Sequence, residues 1–362
     1  MEPGTRVLVD RYGENPMDAV EHHVRLEAQS APTSLEPTDV LIRVRAAQVN
    51  WVDLLMMSGQ YQHMPDPPYC PGMEFAGDVV ATGSDASIEV GARVIADGFR
   101  TGPRSKGEHR KWGGFATYAI APSNAVFPLP EDYSYAEGAS FYGGFETAYH
   151  CLVHRGQLQA GETVLIHGAS GTTGLAAVKL AKRIGATVIA TGRSADKLEA
   201  VKTHGADHGI VTTDSNGVRR FRDEVKALTD GKGVDVVYDP VGGDISLESL
   251  RCVRFGARFL IVGWSATPNV AKGRGGRGAP NVNQLPTNLI MMKSLDVRGC
   301  PAVISVHRNP ALRTERLEAI HRWANAGEIR PVVGRSFPLV EIKDAMRCKW
   351  RSEVVGTVVV TP

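Results

Sequence analysis

Two textures of hydrophobic patterning divide the chain. In the first third, short runs rich in Val, Ile and aromatic residues recur: TRVLVD, DVLIRVRAAQVN, EFAGDVVATG, ARVIADG and FATYAIAPSNAV. Gly, Pro and Asp bound them, which predicts the strands of a small barrel or sandwich. The segment FRTGPRSKGEHRKWGG between them is polar, basic and rich in turn residues, and predicts an exposed loop. The period changes near Ser134. SYAE predicts a capping box, with Ser134 capping the free amides and Glu137 reaching back.

From Thr163 apolar runs alternate with helical stretches. TVLIHG precedes a helix whose Leu175, Val178, Leu180, Ala181 and Ile184 fall mostly on one face. Then follow TVIAT, a helix from Ala195, HGIVT, a helix over Val218–Asp230 and VDVVYD. A helix from Ile245 ended by Gly256, then RFLIVG and LDVRG, complete the series. Short apolar strands between helices predict a parallel sheet covered on both faces, and six of them suit the doubly wound order. Beyond Gly299 come helices over Leu312–Ala326 and Ile342–Trp350, then a last strand, VVGTVVVTP, suited to completing the first domain. The fold class expected is α/β. A Rossmann domain over residues 132–299 is inserted in a β domain made of 1–131 and 300–362.

Chemistry enters at VLIHGASGTTGLAAVKLA, where Gly168, Gly171 and Gly174 lie between a strand and a helix. Glycines there let backbone approach a pyrophosphate, and the helix amino terminus offers free amides. Ala169 stands where the usual first glycine would be, so the motif reads A-x-G-x-x-G. The second strand ends about 20 residues later, where a carboxylate would bind the ribose 2′-hydroxyl of NAD. This chain has Gly192, Arg193 and Ser194 instead, with Lys197 one helical turn on. Two cations and a hydroxyl suit a 2′-phosphate, which predicts NADPH. The competing reading is a solvated helix start in Arg-Ser-Ala-Asp.

The stretches AAQVNWVDLLMMSGQY, PPYCPGMEFAGDVVATG, GASGTTGLAAVKLAKRIGA, VDVVYDPVGGD, LPTNLIMMKSLDVRGC and GEIRPVVGRSFPLVEIKDAM together resemble the medium-chain dehydrogenase/reductase superfamily. More narrowly they resemble its zinc-free, zeta-crystallin-like NADPH:quinone oxidoreductase branch. The resemblance implies a chaperonin-10 (GroES)-like β domain, a Rossmann domain and a homodimer. It implies that Asn50, Asp53 and Thr147 lie on the nicotinamide side, and that Gly171, Thr172, Thr173 and Gly174 face the pyrophosphate. Gly192, Arg193, Ser194 and Lys197 would surround the 2′-phosphate, while Gly263, Trp264 and Arg351 border the cofactor. Some relatives carry a tyrosine near position 212; here it is Thr212.

Zinc members of the superfamily hold a catalytic ion with Cys, His and a further Cys or Asp. Asn50, Met73 and Gly144 stand near those positions here, and residues 97–114 contain no cysteine. His63, Cys70 and Glu74 form a possible trio, but Pro65, Pro67, Pro68 and Pro71 make convergence accidental. No metal is therefore expected, and Met73 is read as core. Without a Lewis acid, the expected reaction is hydride delivery to an electron-poor acceptor, a quinone first and an enone or enoyl thioester second. Tyr61 matches a proton-donating tyrosine of related enoyl-thioester reductases, and Asn50 would share the reaction site. His63 reads as a loop histidine.

Charge narrows the partners. The formal net charge is +2 and 22% of residues are charged, so nothing global calls for nucleic acid. Arg100, Arg104, Lys106, Arg110 and Lys111 crowd one loop, and Lys272, Arg274 and Arg277 another. These loops would suit the phosphates of coenzyme A, but solvated loop charge is the simpler reading. A low-turnover NADPH- or RNA-binding protein fits less well, because aromatics do not interleave with those cations. No run approaches the roughly 18 apolar residues of a membrane span. The start, MEPGTRVLVD, lacks the pattern of a secretory signal. Five scattered cysteines without a CxxC pair suit a reducing compartment, so a cytoplasmic location is expected.

Overall fold

A computed structural model describes residues 1–63, 65–267 and 282–362. Contacts divide them into two compact units, residues 1–141 with 331–362, and residues 142–267 with 282–330.

The second unit is built on a six-stranded sheet of β1 (Thr163–Ile166), β2 (Thr187–Gly192), β3 (His208–Val211), β4 (Val234–Asp239), β5 (Val253–Ile261) and β6 (Asp296–Gly299). Their order is β3-β2-β1-β4-β5-β6 and every pairing is parallel. This is the doubly wound arrangement, with its switch point between β1 and β4. Val164, Leu165 and Ile166, like Val188, Ile189 and Ala190, are fully buried, as a sheet covered on both faces requires. The helix Thr172–Ile184 buries Leu175, Val178, Leu180 and Ala181 and stops at Gly185, whose φ of +94° few other residues adopt at low cost.

The first unit holds a seven-stranded sheet. Along one path Val333–Pro338, Thr357–Thr361, Asp39–Val49, Phe75–Thr82, Arg93–Ala96 and Val126–Pro128 are neighbours, and Tyr118–Pro122 also pairs with Asp39–Val49. The strand from the carboxyl-terminal region thus completes the first domain, as VVGTVVVTP predicts. Val40, Ile42, Val44, Phe75, Val94, Val358 and Val360 meet in one buried core. Ser134 caps the helix Tyr135–Ala139 in the expected box with Glu137.

Three differences from the sequence reading have physical causes. Residues 218–230 are helical only over Arg222–Ala227. Thr213–Asp214 and Gly217–Val218 pair as a hairpin instead, with the amide of Asn216 donating to Asp214 Oδ1 at 2.7 Å. A tight turn through Ser215 and Asn216, closed by Gly217 at φ +110°, outweighs the helical period there. The helix after Ile245 spans only Asp244–Ser249, and Gly256, at φ +72°, lies inside β5 rather than ending a helix. Finally, the units divide at 141/142 and 330/331 rather than at 131/132 and 299/300. The helix Ala311–Asn325 stays with the second unit because buried Arg313 and Arg316 reach Glu146 at 2.7 and 3.4 Å. Two more bonds support it: Tyr142 Oη lies 2.9 Å from His321 Nε2, and Tyr149 Oη donates to Glu315 at 3.1 Å.

Candidate functional site

In the second unit the candidate residues lie at the carboxyl ends of the central strands. β1 runs into His167 and then Gly168, at φ +58°. The amide of Gly171 donates to Gly168 O at 3.0 Å and closes the turn. Gly171 then caps the helix Thr172–Ile184 with no side chain of its own, so nothing covalent occupies the space beside Thr172 and Thr173. Gly174 serves a different end. A Cβ there would lie 2.3 Å from Gly168 O and 2.7 Å from Ala169 Cα, so only glycine lets the helix press against the turn.

His167 supports this turn from below. It is fully buried, with Nδ1 2.7 Å from Thr191 Oγ1 and Nε2 2.7 Å from Ser249 Oγ. Burial pulls its pKa below the ordinary histidine range, against the opposing pull of the Asp239 carboxylate. Asp239, at the end of β4, accepts the amides of Val241 and Gly242 at 2.9 Å and the hydroxyl of Ser246. The loop this forms packs on the next one. A Cβ on Gly242 would meet Trp264 Cα at 3.1 Å, and one on Gly263 would meet Pro240 O at 3.1 Å. Gly168, Gly263 and Trp264 are thereby gathered at the switch point, where doubly wound sheets bind ligands.

At the end of β2, Ser194 caps the helix Ala195–Thr203, its Oγ accepting the amide of Lys197. The hydroxyl keeps its proton for another acceptor. Arg193 is exposed and makes no ion pair among the described residues. Thr212 is buried and donates its hydroxyl back to Gly192 O at 3.3 Å, closing this end of the sheet. Thr147 lies on the helix Tyr142–Tyr149, one turn beyond Gly144 on the same face. A Cβ on Gly144 would sit 3.2 Å from Thr172 O, so this face abuts the start of the helix Thr172–Ile184.

The first unit holds a polar knot. Asn50 caps the helix Trp51–Met57, and its backbone amide donates to Asp53 Oδ2 at 3.0 Å. Asp53 is buried and also accepts the amide of Gly72 at 3.2 Å. Burial pushes its pKa up to about 6, against those amides and the Arg104 guanidinium. Its carboxylate is thus engaged inside the unit. Glu74, 3% exposed, accepts from Asn50 Nδ2 at 3.5 Å. Lys349 is half-buried near Glu74 and Asp53, and burial pulls its pKa down to about 8 against the attraction of those carboxylates. Trp350 stacks on Trp51 at 4.9 Å and so brings the helix Ile342–Trp350 to the knot.

Tyr61 is buried with Met56 and Met73, and its ring edge faces His63 at 6.3 Å. Met73 is core, as expected. Cys70 does not face Glu74's partners: it is buried, its thiol lies near the carbonyls of Gly113 and Pro71, and burial pushes its pKa up to about 12. Arg351 is exposed and 3.7 Å from Glu353. In the basic loop, Arg100 donates to Asn124 O at 2.7 Å. Arg104 donates to Gly98 O at 3.3 Å and lies over the Phe99 ring. Lys111 is 4.0 Å from Glu108, and Lys106 is exposed. Lys272, Arg274 and Arg277 lie outside the described residues.

The GroES-like domain model of the alcohol dehydrogenases matches residues 36–131, and the zinc-binding dehydrogenase model matches residues 172–311. Over 333 residues the chain is 31% identical to quinone oxidoreductase-like protein 2 of Mus musculus, covering 91% of this chain and 87% of that one. The chain belongs to the quinone oxidoreductase branch of the medium-chain dehydrogenase/reductase superfamily. Among solved members, the quinone oxidoreductase of Thermus thermophilus, described also in complex with NADPH, is 28% identical. It superposes with a TM-score of 0.75, covering 99% of this chain and 100% of that one. The CurK enoyl reductase, at 24% identity, 99% coverage of both chains and a TM-score of 0.77, shares the fold.

As a member of this branch the chain is an oxidoreductase that acts on a small molecule. No helix among the described residues is long and apolar enough to cross a membrane. Among those residues no three His, Cys, Asp or Glu side chains converge as metal ligands, although the second family model carries zinc in its description. Sequence reasoning missed His167, Lys349 and the role of Glu74. The histidine stands at the end of TVLIHG, where a polar residue closing a buried strand is itself a signal. Lys349 had none, since its partners Glu74 and Asp53 stand near the other end of the chain.

Proposed function

We propose that this protein is an NADPH:quinone oxidoreductase that works without zinc. The observation that carries the reading is the end of β2. There an exposed Arg193, in no ion pair among the described residues, stands beside the Ser194 hydroxyl, and no carboxylate occupies the ribose position. The guanidinium and hydroxyl, with Lys197, would hold the 2′-phosphate. The amides opened by Gly171, with Thr172, Thr173 and Gly174, would hold the pyrophosphate. Gly263 and Trp264 would flank the cofactor, and Thr147, Asn50 and Arg351 would border it. Bound NADPH supplies a hydride, so the chain's task is to orient the acceptor and exclude water. Asp53 and Glu74 act as positioning residues: one fixes the Asn50 backbone and the other its amide. Tyr61 would hand a proton to the reduced acceptor from its hydroxyl.

Zinc independence rests on the donor set. An amide at Asn50, a thioether at Met73 and no side chain at Gly144 cannot supply the about three ligands a catalytic zinc needs. Homodimer formation is supported by the edge strand β6 and by Met291 and Met292 nearby, 74% and 58% exposed. A cytoplasmic location is supported by five buried cysteines, none of them in a disulfide.

The decisive experiment compares dissociation constants. Arg193→Ala is expected to weaken NADPH about 10- to 100-fold, the value of a charged hydrogen bond, and to leave NADH nearly unchanged. Equal losses for both nucleotides would sink the assignment. The acceptor is tested by NADPH oxidation with a benzoquinone and with a crotonyl thioester. Faster turnover of the thioester, slowed at least about a hundredfold by Tyr61→Phe, would replace the quinone reading with an enoyl reductase.

A further inference from the structure

The two faces of the helix Tyr142–Tyr149 differ in kind. Tyr142, Glu146 and Tyr149, at spacings of four and three, form one buried stripe, and the helix Ala311–Asn325 holds each of them. Tyr142 Oη lies 2.9 Å from His321 Nε2, and Tyr149 Oη donates to Glu315 at 3.1 Å. Glu146 is gripped hardest. Arg313 donates Nε to Oε2 at 2.9 Å and Nη2 to Oε1 at 2.7 Å, a bidentate fork. Arg316, 1% exposed, adds a bond from Nη1 to Oε2 at 3.4 Å. Its Nη2 donates to His150 Nδ1 at 3.3 Å and so ties down the start of the π-helical turn His150–Arg155. Gly144 and Thr147 lie roughly 130–170° around the axis from that stripe. They face the start of the helix Thr172–Ile184, and from residue 144 to 149 the chain is buried except at Thr147.

Taking three ions out of water is expensive, and apolar side chains of similar size would hold two helices together at least as well. What the ions add is direction. A carboxylate seated in a guanidinium fork fixes the rotation of its helix about the axis, which a purely apolar contact leaves free to turn. A turn of about 10° moves a side-chain tip about 1 Å at the radius of a helix with its side chains. We propose that Glu146, gripped by Arg313 and Arg316, is a positioning residue. It sets the rotation of the helix Tyr142–Tyr149 so that the Thr147 hydroxyl meets the nicotinamide-side half of the dinucleotide. The inference rests on the NADPH reading above, in which Thr147 borders the cofactor. Glu146 and the two arginines touch no part of the cofactor and act on it only through Thr147.

The test compares two nucleotides on the full chain by calorimetry: NADPH, which carries both halves, and 2′,5′-ADP, which carries only the adenosine half. Glu146→Gln is expected to raise the NADPH dissociation constant about 5- to 10-fold, the worth of one neutral hydrogen bond, and to leave that of 2′,5′-ADP within about twofold. The triple variant E146M/R313M/R316M should behave alike, and it serves where the glutamine variant does not fold, since buried ions are tolerably replaced by apolar chains. Arg313→Lys keeps the charge but loses the fork, so its effect should fall between wild type and Glu146→Gln. Thr147→Ala should show the same NADPH-selective loss. In that background Glu146→Gln should add less than about twofold, because the two residues act as one. A change in charge alone would move both nucleotides together. Equal losses for the two, an NADPH constant unchanged in a folded variant, or additive effects of Glu146→Gln and Thr147→Ala would overturn this inference alone. A wild type that binds neither nucleotide would end the cofactor reading and this inference with it.

Discussion

The ends of the parallel strands in the second unit and the polar knot of the first unit are built by opposite means. Around residues 168–174 backbone shapes the site: absent side chains, a positive φ and free space at a helix start. Around Asn50 side chains shape it, as two buried carboxylates grip Asn50 and a half-buried ammonium lies near them. A backbone site tolerates no added atom but is indifferent to pH. A side-chain knot tolerates changes of shape but not of charge.

The largest expected effect lies in the backbone half. Gly174→Val would drive its Cβ into Gly168 O and push the helix from the turn. NADPH binding by calorimetry should weaken at least about a hundredfold, as a displacement near 1 Å does elsewhere. Urea melts should show a loss of roughly 3 kcal/mol. Binding within threefold of wild type would break the contrast between the two halves.

Next comes the charge of the knot. The Asp53 carboxyl rises from its ordinary 3.8 to about 6 on folding. The native state therefore holds this proton more tightly than the unfolded chain does. The stabilisation is complete below pH 3.8 and is lost as pH rises through about 6. Its size is roughly 3 kcal/mol, at about 1.36 kcal/mol per unit. Asp53→Asn should abolish that loss, so the variant's stability relative to wild type climbs between about pH 4 and 7 in urea melts. A constant difference across that range would mean that Asp53 is not the group held protonated.

The smallest effect sharpens the border between the two modes, since Ser194 uses its side chain within the backbone half. Ser194→Ala should cost about 1 kcal/mol for the lost helix cap. It should also raise the NADPH dissociation constant a few-fold, about the value of one neutral hydrogen bond. Thermal melts with and without cofactor separate the two.

The same contrast decides what a sequence discloses. The six parallel strands, the glycine-capped helix and the exposed cation after β2 were legible because each is local: an apolar run, a glycine spacing, a residue type about 20 positions on. The helix over residues 218–230 failed because a turn through Ser215 and Asn216, closed by Gly217, reversed the chain and took Val218 into a hairpin. The placement of Ala311–Asn325 failed for a longer-range reason. Arg313 and Arg316 look like surface cations in sequence, and only Glu146, 167 and 170 residues earlier, explains their burial. Lys349 is the same case, invisible until Trp350 stacks on Trp51.

The position of Thr357–Thr361 has a consequence in time. It pairs in parallel with Val333–Pro338 and antiparallel with residues 47–49, the end of an early strand. A chain emerging from the ribosome has released every described residue of the second unit, 142–267 and 282–330, before that partner exists. The domain that begins first therefore finishes last, and until then the 47–49 edge stands open to pairing with other chains.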